Sequence, residues 1–210
     1  MKYVNKFIRK YPKFYIENLM LHISLLTLVV YVVHYVFRTP LIGYLTLDRS
    51  AVLSGQIWRL ISFILVPADS RLLYFIISIY FYYYLGNTLE HTWGSQLFTI
   101  YYIICMLGSI LASMLSGTVF TGVYINLSIF LAFAYLYPNQ EILLFFILPV
   151  KVKYLAYIDL ALMAVSFVMG GLATKLMIIS SFSGLLVFFG KDLILDVRLW
   201  LRRVKNKLKH

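Results

Sequence analysis

From residue 91 to residue 140 the chain carries no Asp, Glu, Lys or Arg. A soluble domain has no interior large enough to take up such a stretch. Roughly 20 apolar residues cross a hydrocarbon core of about 30 Å as a helix, so the run reads as two membrane spans. They are joined at the weakly polar patch 117–122. The composition agrees, being 62% hydrophobic and 13% charged. The first apolar run is no cleaved signal peptide, because it is too long, lacks a small-residue cleavage site and is followed by further spans.

Apolar runs predict six spans at 18–37, 72–89, 96–116, 122–137, 154–170 and 176–190. The expected fold is an all-α polytopic membrane protein. It divides into a basic arm over 1–17, a membrane domain over 18–190 and a basic amphipathic tail over 191–210. The connector 38–71 holds a half-apolar stretch, 55–67, too interrupted to span. Residues 90–94 read as a turn, and the loop after the fourth span holds a short apolar run, 142–150. The sixth span has few residues between Lys175 and Lys191, and short spans thin the bilayer around them.

Six spans place both termini on one side. Lys2, Lys6, Arg9, Lys10, Lys13, Lys151, Lys153 and the cations of the tail crowd that side. Only Arg38, Arg49, Arg59, Arg71 and Lys175 lie opposite. The positive-inside rule then makes both termini cytoplasmic, and compactness together with this asymmetry suggests a bacterial plasma membrane. The net charge of +11 is accounted for by that asymmetry rather than by a nucleic acid partner. In the tail, Leu193, Val197, Trp200, Leu201, Val204 and Leu208 recur at helical spacing with cations between them, a pattern suited to the lipid headgroup layer.

Metal, cofactor and phosphate chemistry find no support, since there is no His-Glu-x-x-His, no cysteine pair and no glycine-rich phosphate loop. Cys105 is the single cysteine and cannot form an internal disulfide. Asp159 lies within the fifth span, where a carboxylate is costly and faces the bundle or a cavity. Lying about one turn from Lys153, it could pair with that lysine or reach water. A small-solute transporter would need ionisable groups at several depths, and only Asp159 is available.

Four pieces carry a resemblance. They are Gly55-Gln56-Ile57-Trp58-Arg59 with Ser62; Leu85-Gly86 with Glu90 and Gly94-Ser95; Ala132 through Pro138-Asn139; and Pro149 through Leu155. In this order and on this topology the chain resembles the rhomboid superfamily, which includes rhomboid proteases and derlin-like proteins. The resemblance implies a six-transmembrane-helix rhomboid-like bundle with a membrane-dipping first loop. It also implies a structural hydrogen bond at Glu90.

Rhomboid proteases take a nucleophilic serine from Gly-x-Ser-Gly opening their fourth helix. A histidine of the sixth helix serves as base, and a His and an Asn of the second lie beside the oxyanion. Aligned by position, Val123 stands where the serine belongs and Ser181 where the histidine belongs. Phe188 replaces a glycine of the sixth-helix motif, and Tyr74 and Ser78 occupy the oxyanion positions. Valine has no nucleophilic atom, and a serine hydroxyl is no base near neutral pH. Ser128, one turn deeper, is the best substitute nucleophile, but no histidine lies in the sixth span. A hydrogen bond to a carbonyl one turn back would satisfy its hydroxyl.

The expectation is therefore a catalytically inactive member, a pseudoprotease in contact with membrane lipids that binds transmembrane segments of client proteins. Gln56, Trp58, Arg59, Tyr74, Ser78, Ser181 and Gly184 are the candidate contact residues. An unorthodox intramembrane serine protease using Ser128 is the alternative, and a small-solute transporter the third reading.

Overall fold

The computed structural model describes residues 14–144 and 148–207, with side chains described up to residue 190 except those of 144 and 148. The basic arm therefore lies outside the described residues for all but its last positions, and the tail's side-chain faces lie outside them altogether.

Hydrocarbon offers the backbone no hydrogen-bond partners, so a crossing segment must satisfy its own amides and carbonyls as a helix. Five helices are long and apolar enough to cross: α1 (Leu19–Tyr31, continuing to Val36), α5 (Leu72–Trp93), α6 (Ser95–Ser116), α8 (Val152–Met169) and the first part of α9 (Leu172–Lys207). A sixth apolar helix, α7 (Val123–Leu136), has only 14 residues, about 21 Å. It sits at the centre, with α5, α6, α8 and α9 all packed on it. Ile125, Ser128 and Ile129 are fully buried there. A helix enclosed by protein need not match the bilayer thickness.

The ends of two helices differ from expectation. The predicted turn 90–94 is helical up to Trp93, and Gly94 alone makes the turn at φ 83°, a conformation that disfavours side chains. The sixth span is not short, because its apolar segment is Leu172–Gly190 and the helix runs on without a break for 36 residues. Charges at Glu90 and Lys191 end an apolar run, but they do not end a helix whose backbone bonds persist into the headgroups. The short element is α7, so the thinning argument does not apply to α9.

The chain is also not wholly helical. Residues predicted as a loop after α7 form a hairpin, β1 (Glu141–Leu144) with β2 (Leu148–Lys151), antiparallel with Glu141 opposite Lys151.

Small residues set the tightest helix pair, α6 with α9. A Cβ on Gly184 would stand 2.5 Å from Cys105 Sγ and 2.8 Å from a Tyr101 ring carbon, and one on Gly108 would meet Ser183. Without a hydrophobic driving force between helices in lipid, this close approach is what holds them.

The far end of α1 widens to π pitch at Val32–Val36, where Thr39 Oγ1 donates to the Val33 carbonyl at 2.8 Å. The connector then folds as α2 (Leu41–Leu45), α3 (Arg49–Leu53) and α4 (Arg59–Ser62), with a 3-10 turn at Phe63–Leu65. Paired bonds between Leu47 and Phe120, and one from Gly122 N to Phe63 O, tie it to the turn before α7. The fully buried Leu47, Phe63 and Phe120 close that seam.

At the opposite end Glu90 of α5 accepts from the amides of Asn18 (2.7 Å) and Leu19 (3.1 Å) and from Ser95 Oγ (2.7 Å). The first amides of a helix have no intrahelical acceptor, and this carboxylate supplies one across the bundle. Glu90 is thus buried and structural, as the resemblance implied, and not a solvated surface charge.

Candidate functional site

The connector is built around Arg59, which is 6% exposed. Its Nη1 donates to the carbonyls of Gly43 (2.8 Å) and Thr46 (2.7 Å), and its Nε to Gln56 Oε1 (2.8 Å). Ser62 Oγ donates to the Leu45 carbonyl at 3.1 Å, and Trp58 Nε1 to that of Tyr44 at 3.2 Å. The Gly-Gln-x-Trp-Arg-x-x-Ser element therefore satisfies the last carbonyls around α2, which would otherwise be orphaned. Gln56 and Arg59 are spent on the loop itself, and Arg59 is buried there. The Trp58 ring stays half exposed.

Where the connector meets the bundle there is a cavity of about 40 Å³, room for one to a few waters. Its polar lining comes from three helices: Ser24 and Thr27 of α1, Ser78 and Tyr82 of α5, and Asn126 of α7. Ser78 Oγ donates to the Phe75 carbonyl at 2.9 Å. The side-chain amide of Asn126 has no hydrogen bond among the described residues, and the residue lines the cavity. Tyr74, the other oxyanion position, is not here. It lies exposed beneath Arg71, whose guanidinium is 4.0 Å from its ring centre. Arg71 also grips Asp69 with two nitrogens (Nε 3.1 Å, Nη2 2.9 Å), and these bonds pull the Asp69 carboxyl down to about 2.

The positions aligned with a protease's nucleophile and base sit in different environments. Val123 is the exposed first residue of α7. Ser181 is fully buried on α9, with its hydroxyl donating to the Ile178 carbonyl at 2.7 Å. Gly184 and Ser183 are consumed by α6 packing and are internal to the bundle.

Ser128 is fully buried, 2.7 Å from the Tyr101 hydroxyl, with the Cys105 thiol donating to it at 3.3 Å. Its partners are a phenol and a thiol rather than a carbonyl one turn back. Neither is a base near neutral pH. Among the described residues no imidazole or ammonium bonds a serine hydroxyl. His22 Nδ1 is paired with the Asn18 carbonyl, His34 Nδ1 accepts from Ile42 N, and Lys153 donates to Asn139 Oδ1.

A lateral groove lies between α5 and α8. Both helices pack on α7 and not closely on one another. Phe81 of α5 meets Phe130 on the groove floor at 6.1 Å between ring centres. Between α5 and the hairpin an apolar hollow of about 280 Å³ is lined by Tyr80, Tyr84 and Ile142. On α8, Val152, Ala156, Asp159 and Met163 share the face turned to the bundle, while Tyr157, Ile158 and Leu162 point outward. Asp159 lies about 10 Å, or two turns, in from Val152. It makes no ion pair with Lys153, whose amine is held by Asn139.

The family model for the eukaryotic integral membrane proteins of DUF1751 matches residues 19–189. The chain belongs to this DUF1751 family. The match runs from the start of α1 to Phe189 in α9, so the connector, the polar cavity and the α5–α8 groove all lie within the family's domain. It overturns the expected bacterial plasma membrane, because the family is eukaryotic. Charge asymmetry and compactness are common to membrane proteins of any cell and could not have separated the two. No curated protein matches the chain.

Sequence reasoning singled out Ser78 but passed over Asn126, Tyr82, Ser24 and Thr27. The signal for Asn126 was available: it is an amide in a helix otherwise made of apolar residues and a few hydroxyls, three positions after Val123.

Proposed function

We propose that this protein is a non-proteolytic, rhomboid-like membrane protein that holds transmembrane segments of client proteins in the groove between α5 and α8. The observation that carries this reading is the groove itself. Two crossing helices stand on α7 without closing on each other, and a polar-lined cavity lies where α5 meets α1 and α7. In this reading a single apolar helix from a neighbouring protein occupies that space. The hydroxyls and the Asn126 amide offer it hydrogen bonds that lipid does not.

The non-proteolytic part rests on chemistry. Acyl transfer needs a nucleophile, a base and oxyanion donors in one place. Here the aligned nucleophile is an aliphatic side chain, the aligned base is a hydroxyl bonded to its own helix, and Ser128 is bonded to a phenol and a thiol.

The test is co-reconstitution with fluorescent single-span guest peptides, followed by energy transfer and by gel analysis of the same samples. Saturable capture with the guest left intact supports the proposal. A cleaved guest, or labelling of Ser128 by a fluorophosphonate, refutes it in favour of the protease reading.

A further inference from the structure

The Asp159 carboxylate is half-buried in the middle of α8, on the side turned to the bundle, and it has no hydrogen bond or ion pair among the described residues. On α5 the Tyr82 phenol interacts electrostatically with it. Asp159 is the sole Asp, Glu, Lys or Arg in Val152–Met169 apart from Lys153 at its start, so the helix is otherwise committed to an apolar environment. A carboxylate held at this depth is costly, and no ion pair or hydrogen bond among the described residues offsets that cost.

Resting on the client-binding reading, we propose that Asp159 selects the client: it pairs with a Lys or Arg carried within the client's transmembrane segment, seated in the α5–α8 groove. Charge complementarity commits the site to a cation. Depth commits it to a transmembrane residue, because a lipid headgroup lies about 10 Å away along α8. A second copy of this chain does not fit. Its crossing helices carry Lys or Arg only near their ends, at Lys153 and Lys175. Tyr82 completes the site from the opposite wall. Its phenol can accept from an ammonium or guanidinium while donating to the carboxylate. A cation here lets both charges stay paired in hydrocarbon, where a client lysine would otherwise have to stretch toward the interface.

The experiment uses the full chain in liposomes with a photocrosslinker at Leu155, and with one at Leu162 on the outward face as background. Guests are a Leu/Ala single-span helix and the same helix with one Lys stepped through successive positions. Capture of the Lys guest is expected to exceed that of the parent helix about tenfold at the matching depth, corresponding to an interhelical bond of roughly 1.4 kcal/mol. Asp159→Asn should abolish the difference between the two guests. Asp159→Lys should recover it for a guest carrying Asp in place of Lys. Equal capture of both guests by the unaltered protein would overturn the charge selection while leaving client binding intact. Capture of neither guest above the Leu162 background would overturn both.

Discussion

Replacing Arg59 separates a structural guanidinium from a recognition residue. Arg59→Met keeps most of the apolar stem and removes every donor. The carbonyls of Gly43 and Thr46 then lose bonds of 2.8 and 2.7 Å to a buried cation. Gln56 is partly exposed and can turn to water, so it adds little. Each orphaned carbonyl costs about 1–3 kcal/mol, which puts the loss at roughly 2–6 kcal/mol for the connector. Even the lower figure is about thirtyfold in an opening equilibrium. Hydrogen exchange by mass spectrometry in nanodiscs reads this directly: amides of residues 41–62 should exchange at least about thirtyfold faster, while those of α6 hold. Arg59→Lys should fall between the two, because an ammonium can reach one carbonyl but cannot reproduce the planar fork. Unchanged protection in Arg59→Met, accompanied by lost lipid or client capture, would refute the reasoning and make the guanidinium a contact group.

Three further outcomes follow from named contacts. Glu90→Ala should leave the amides of Asn18 and Leu19 without an acceptor and destabilise the start of α1 by about 2–4 kcal/mol, measured as faster exchange over residues 18–24 with α8 unaffected. Gly184→Val should force α9 off Cys105 and Tyr101 and lower the thermal midpoint by the equivalent of about 1–3 kcal/mol, whereas the same change at Gly190, where a Cβ meets nothing, should be silent. Because Arg71 lowers the Asp69 carboxyl in the folded protein to about 2, its contribution is present above the usual carboxylate value of about 3.9 and fades as pH falls toward 2. Asp69→Asn should remove that acid dependence from the order of the connector, read by exchange at residues 66–72.

The crossing helices were legible because charge is excluded from hydrocarbon by several kilocalories per residue, a signal no tertiary context can hide. Their ends were less so. At Glu90 and Lys191 the charge stops and the helix does not, because backbone bonding does not depend on the side chain. The hairpin at 141–151 was hidden by an apolar run whose period is too short to separate strand from loop. Gly184 was legible as a contact position, but sequence cannot say which neighbour it meets, and the neighbour is α6. The motif around Arg59 was found from sequence, whereas its role as a staple for carbonyls of α2 needed coordinates. Asp159 was visible as a buried carboxylate. Of the two outcomes open to it, pairing with Lys153 or reaching water, the pair is not formed, because an asparagine fourteen residues away in sequence holds that amine.

The account stands most directly on where another protein's helix touches this one. A photocrosslinker placed singly at Ser78, Tyr82, Leu155 or the lipid-facing Leu25 in native eukaryotic membranes measures it. Membrane-spanning segments, identified by mass spectrometry and uncut, should be captured at the first three positions and not at Leu25. Capture of lipid alone at all four, or of protein equally at all four, would contradict a client-binding groove between α5 and α8.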